Sequence, residues 1–146
     1  MKKSGPEISV ILSTYNGMPY LRKAIESMLS QTYDNFEFVI VNDGSTDGTG
    51  KYLKSLKDKR LVIVNNKKNM GLTRSLNIAL SYASGRFIAR MDSDDFSLPS
   101  RLKEQLKFLN DNDKVTVCGS FADLINEKGK TVGELKYPTT PHDIER

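Results

Sequence analysis

Apolar positions along the chain switch repeatedly between two periods. Short β-branched runs, "ISVILSTY" (8–15), "FEFVIVND" (36–43), "RLVIVNN" (60–66), "RFIARMD" (86–92) and "KVTVCGS" (114–120), read as strands. Between them lie segments with helical spacing. In "PYLRKAIESMLSQTY" (19–33) the spaced positions are Leu21, Ala24, Ile25, Met28 and Leu29, with Pro19 placed for a first turn. "TDGTGKYLKSLKD" (46–58) turns Tyr52, Leu53 and Leu56 to one side. "GLTRSLNIALSYAS" (71–84) has a stripe of Leu72, Leu76, Ala79, Leu80 and Ala83, and Gly85 follows as a C-terminal stop. "PSRLKEQLKFLNDN" (99–112) places Leu102, Leu106 and Leu109 inward.

This alternation predicts βαβ units: an α/β, Rossmann-like, mostly parallel sheet with helices on both faces and right-handed crossovers. The near-continuous apolar character of the runs predicts strands buried on both sides. The tail departs from the pattern. "ADLINEKGKTVGELKYP" (122–138) alternates around "EKGK" and predicts a C-terminal antiparallel hairpin. Asp143–Arg146 looks like the first turn of another helix, so the chain is expected to stop inside an element and to be a truncated part of a longer protein.

Composition narrows the class. The 146 residues are 38% hydrophobic and 27% charged, which suits a single folded domain rather than a disordered chain. The net charge of +4 is spread over small groups such as "NKKN" (66–69), so a solvated basic face is favoured over nucleic-acid binding. Cys118 is the single cysteine; its setting "VTVCGS" suggests a buried, inert thiol and a reducing, cytoplasmic location. "MKKSGPEISVILSTY" is too short in apolar residues for a secretory core or a membrane span. Work at a membrane would therefore be peripheral, at its inner face.

Four strand ends are polar together: "STYNG" (13–17), "NDGSTD" (42–47), "NNKKNMG" (65–71) and "MDSDD" (91–95). In an open parallel sheet these ends share one edge, where ligands bind. Asp92 and Asp94, two apart, point the same way on extended backbone. They suit a hard divalent cation, Mn²⁺ or Mg²⁺, with a diphosphate as further ligand; the bland alternative is an acidic loop capping the helix near Pro99. Asp43 suits acceptance of a hydrogen bond from a nucleobase or ribose, and equally a turn ahead of the second helix. Tyr15 suits stacking on a base, or an ordinary half-buried position. His142 sits in a Pro- and Thr-rich tail and reads as a surface residue. There is no "GxxxxGKS" or "GxGxxG" phosphate device.

The segments "ISVILSTYNG", "AIESMLSQTY", "FEFVIVNDGSTDGT", "NMGLTRSLNIAL" and "GRFIARMDSDDFSLPSRLKEQLKFL", in this order over about 7–120, resemble the N-terminal, nucleotide-sugar-binding half of family 2 glycosyltransferases. The resemblance implies a GT-A fold over residues 1–146 and sugar transfer from a nucleotide diphosphate donor, usually a UDP-sugar. Transfer would be to the hydroxyl of a glycan or lipid-linked acceptor, with inversion, in polysaccharide assembly. It implies that Ser13 and Tyr15 contact base and ribose, and that Asp43 reads the base. Asp92 and Asp94 form the DxD pair about Ser93, with Asp94 on the metal and Asp92 on the ribose or the metal's water. Two departures stand out. Many relatives carry "ARN" where this chain has "SLN" (75–77), and Leu76 cannot make an arginine's polar contact. The family's base is a carboxylate well after the DxD motif, expected beyond residue 146, so the isolated chain is expected to have little or no activity. Two other readings stand beside this one. A sugar-phosphate nucleotidyltransferase would need a glycine-rich basic signature that "STYNGMPYL" lacks, and a non-catalytic module would bind the nucleotide sugar or a partner alone.

Overall fold

The computed structural model describes residues 5–139. They form β1 (Ile8–Thr14), α1 (Tyr20–Leu29), β2 (Phe36–Asn42), α2 (Thr49–Ser55), β3 (Leu61–Asn65), α3 (Leu72–Tyr82), β4 (Phe87–Arg90), α4 (Arg101–Asp111), β5 (Ala122–Ile125) and β6 (Thr131–Leu135). The chain divides into two compact units, Met1–Glu104 and Gln105–Arg146.

In the first unit the strands lie in the order β3-β2-β1-β4, all parallel. The β-branched runs fill the two central strands, and every residue of β1 is buried. Side chains alternate across the sheet. Ile11, Val39 and Val41 meet Ala79 of α3 on one face, with Val62, Val64, Leu76 and Ile78 packed around them. Val10, Leu12, Phe38 and Ile40 face the other way and are equally buried. Leu21, Ala24, Ile25 and Met28 form the buried stripe of α1, at the predicted spacing.

Two expectations about packing need correction. β3 and β4 are sheet edges, so they are only half buried despite their apolar composition. In α3 the fully buried positions are Ser75 and Ala79, whereas Leu72 and Leu80 are exposed. Small residues let the helix approach the sheet closely, which rotates the larger leucines outward.

In the second unit the expected hairpin is present, with β5 and β6 antiparallel. Its turn is built on Asn126, whose side-chain oxygen accepts from the Lys128 and Lys130 N–H groups. The expected strand at 114–120 is absent: these residues form no ladder, and Val117 is 83% exposed. Alternation alone does not make a strand without a neighbouring backbone to pair with. Cys118 is accordingly half-buried in irregular chain rather than enclosed in a sheet. His142 and the Asp143–Arg146 turn lie outside the described residues.

Candidate active site

Register aligns the strand ends. Thr14, Asn42 and Asn65 stand side by side across β1, β2 and β3, so the loops that follow leave the sheet at one level. β4 pairs with β1 only from Ile8 to Ile11, and Met91 N–H still donates to the Ile11 carbonyl at 3.0 Å. Beyond that point the chain after β4 parts from β1. The β1 end beside Ser13 and Thr14 is thus unpaired on its β4 side, at the position where the strand order changes direction.

Asp43 lies at the end of β2 and is 2% exposed. Its Oδ1 accepts from Asn66 Nδ2 at 2.7 Å and from Met70 N–H at 2.9 Å, and its Oδ2 accepts from Gly71 N–H at 2.9 Å. Burial alone would raise the pKa of this carboxyl. The Asn66 side chain, the Met70 N–H, the Ser75 hydroxyl and the Gly71 N–H outweigh it and hold the pKa below the ordinary value. The ionised carboxylate thus fastens the β3–α3 loop to the end of β2. Gly44, at φ +71°, brings its backbone against the same loop; a Cβ there would lie 2.4 Å from the Lys68 carbonyl carbon.

The first two loops are joined just as closely. Asn16, at φ +52°, accepts the Thr46 N–H at its Oδ1 (2.8 Å), while its own N–H donates to Ser45 Oγ at 3.0 Å. Gly17 N–H donates to Thr49 Oγ1 at 3.1 Å. Asn42 connects onward: its Oδ1 accepts the Ser45 N–H, and its Nδ2 donates to Asn65 Oδ1. Tyr15 projects from this assembly with 49% of its surface exposed, while Ser13 is buried within β1.

The segment after β4 is organised separately. Asp92 is gripped by Arg90 Nη2 at 2.8 and 3.0 Å, and Asp95 N–H donates to the Asp92 carbonyl. Arg101 closes the turn through Ser97 Oγ and the Arg90 carbonyl. Ser93 is half-buried and Asp94 is exposed. Asp95 is also exposed, yet crowding around its carboxyl and the nearby charges of Asp92 and Asp94 push its pKa up. Among the described residues no group of three or more His, Cys, Asp or Glu is arranged to hold a metal ion. The oxygen donors here are the Asp92 and Asp94 carboxylates, with Arg90 already paired to Asp92. Carboxylate oxygens are the donors that a hard divalent cation takes.

All six candidate residues therefore fall at C-terminal strand ends, Ser13, Tyr15 and Asp43 on β1 and β2 and Asp92, Ser93 and Asp94 after β4. Sequence reasoning missed Asn16, Asn66, Ser75 and Arg90. Asn16 lies beside glycine in a strand-end loop, which was a usable sign of a left-handed turn. The others carry no local signature. A cleft of about 560 Å³ bounded by Asp34, Lys57, Asp58, Lys59 and Arg60 lies at the start of β3, away from these loops.

The pattern of glycosyl transferase family 2 matches residues 9–142. The chain belongs to this family. Its domain is 43% identical over 136 residues to an uncharacterized glycosyltransferase of Haemophilus influenzae, covering 92% of this chain and 42% of that protein. A crystal structure of S. aureus TarS residues 1–349 in complex with UDP-GlcNAc superposes with a TM-score of 0.69 at 32% identity, over 73% of this chain and 32% of that one. A mannosyltransferase from Pyrobaculum calidifontis, in complex with GDP-Man and Mn²⁺, gives 0.65 at 30% identity over 75% of this chain and 34% of that one. The expected GT-A fold is thus borne out, and the family 2 domain spans less than half the length of these relatives. No helix among its described residues is long and apolar enough to cross a membrane.

Proposed function

We propose that residues 1–146 carry the donor half of an inverting glycosyltransferase that takes its sugar from a nucleotide diphosphate, most simply a UDP-sugar. The observation that carries this reading is the convergence at one sheet edge of an exposed tyrosine, a pre-ionised buried aspartate and the Asp92–Asp94 pair. Two solved relatives hold UDP-GlcNAc and GDP-Man, which supports the donor class. In this reading Tyr15 stacks on the base and Ser13 contacts the nucleoside. Asp43, kept ionised, accepts from a base N–H. Ser93 and Asp92 border the ribose.

Asp94 and Asp92 would hold a divalent cation, which, when bound, neutralises the departing diphosphate as a Lewis acid. Arg90 occupies Asp92 meanwhile and offsets its charge. The acceptor is a glycan or lipid-linked hydroxyl, approached from the cytoplasmic side, with peripheral membrane association. Its proton would pass to a carboxylate acting as general base. The test is titration of UDP into the chain with Mn²⁺ and with EDTA, repeated with Asp94→Ala. Metal-dependent binding that Asp94→Ala abolishes supports the reading. Failure to bind UDP or GDP would refute the donor site, and unchanged metal-dependent affinity in the variant would refute the metal assignment.

A further inference from the structure

We infer that Asn16 is a positioning residue for nucleoside recognition, holding Tyr15 and the Asp43 loop as one prebuilt surface; this rests on the donor-site reading above. Asn16 is the sole residue other than glycine with positive φ among the described residues, at +52°. Such a conformation is uncommon outside glycine, and asparagine and aspartate are the residues that tolerate it best. Here the contacts around it are reciprocal. Three successive N–H groups, of Asn16, Gly17 and Met18, donate to side chains of the second loop and the start of α2: Ser45 Oγ at 3.0 Å, Thr49 Oγ1 at 3.1 Å and Asp47 Oδ2 at 3.4 Å. In return, the Asn16 Oδ1 accepts from the Thr46 and Asp47 N–H groups at 2.8 and 3.4 Å.

A residue that both reverses the backbone and offers a side-chain acceptor at that point has to be asparagine or aspartate. The reversal follows directly on Tyr15 and so sets where the ring stands. The acceptor fixes residues 46 and 47, three and four positions after Asp43. Among the described residues no hydrogen bond joins this surface to residues 91–96, whose hydrogen bonds run within that segment and to Ile11, Arg90 and Ser97. Base recognition and diphosphate recognition therefore rest on separately braced parts of the edge.

The separation makes the inference testable with two substitutions. Asn16→Gly keeps the left-handed turn and removes the acceptor; Asn16→Ala removes the acceptor and strains the turn. Binding of UDP and of inorganic pyrophosphate, both with Mn²⁺, is measured by calorimetry for the two variants and the unaltered chain, alongside thermal midpoints. We expect UDP affinity to fall roughly ten-fold in Asn16→Gly and further in Asn16→Ala, with pyrophosphate affinity within about two-fold of the unaltered chain. A purely structural role would lower the midpoint and leave the UDP-to-pyrophosphate ratio unmoved, and that result overturns the inference. Equal loss of both ligands overturns it as well. Failure of the unaltered chain to bind UDP would instead remove the donor-site reading, and the inference with it.

Discussion

Replacing Asp43 with asparagine is expected to cost about 2 kcal/mol of stability at neutral pH and progressively less in acid. The carboxylate is 2% exposed and receives three hydrogen bonds, from Asn66 Nδ2, Met70 N–H and Gly71 N–H. An asparagine oxygen in the place of Oδ1 keeps the first two. Its amide nitrogen then faces the Gly71 N–H, donor against donor, in a place that water reaches poorly. A buried donor left without a partner costs about 1–3 kcal/mol, and the retained bonds lose their charge assistance. Asp43→Ala strands all three donors, for about 4 kcal/mol, a large share of the 5–15 kcal/mol that holds a typical domain.

The pH dependence follows from the lowered pKa of Asp43 in the folded protein. A carboxyl whose folded pKa lies below its unfolded value, about 3.9, stabilises fully above the unfolded value. That contribution is lost as pH falls through the folded value. Asparagine does not titrate there, so the gap between the two proteins should begin to narrow below about pH 4 and keep narrowing as pH falls through the folded value. Urea unfolding at pH 7 and pH 3, with the slope against urea checked for constancy, measures the gap directly. A gap under about 0.5 kcal/mol at pH 7, or one that fails to narrow at pH 3, would refute the account of Asp43 as an ionised clamp.

Gly44→Ala should be more damaging than a typical surface change, by about 3 kcal/mol or more, because a Cβ meets backbone atoms of Lys68 and Asn69 at 2.4 and 2.6 Å and φ is +71°. A thermal midpoint within about 3 °C of the unaltered protein would show that the loop yields. Glu37→Gln should destabilise by about 1–2 kcal/mol at pH 7, since its Oε1 accepts from Ser9 Oγ, Ser84 N–H and Ser84 Oγ at 2.6, 2.7 and 2.9 Å. Burial raises the Glu37 pKa, but these donors and the Gly85 N–H lower it overall. Its contribution is therefore also present at neutral pH and lost in acid, and hydrogen exchange at Ser84 and Gly85 should quicken in the variant at pH 7 but not relative to the unaltered protein at pH 3.

The sheet was legible in the chain because β1 and β2 are runs of β-branched and aromatic residues that only a doubly covered strand needs. The site's address was legible for the same reason: polar residues cluster where such strands end. The error at 114–120 has the opposite cause, since pairing depends on a partner that periodicity does not contain. The faces of α3 were misjudged because size, not hydrophobicity, decided that Ser75 and Ala79 go inward. Asn16 and Asn66 stayed hidden because their roles are contacts between loops, over separations that no local pattern records, whereas Arg90 reaches only two residues on, to Asp92. Asp43 showed both of its features in the sequence, a turn residue and a carboxylate at the site, but the donors it gathers come from 23 to 28 positions away.

The order β3-β2-β1-β4 also sets a timetable for synthesis. β1 is made first and becomes central, yet one of its edges waits for β4; Gly85, just before β4, is 76 residues downstream of the Ser9 hydroxyl to which it donates. At typical elongation rates of about 5–20 residues per second, the interval is about 4–15 s. During that time β1 and β2 can already pair, while the other edge of a strand that is buried throughout in the folded protein stays open to any passing backbone. A nascent chain stalled before residue 87 should therefore be the aggregation-prone species, and β4, although a short strand, is the one that closes that edge.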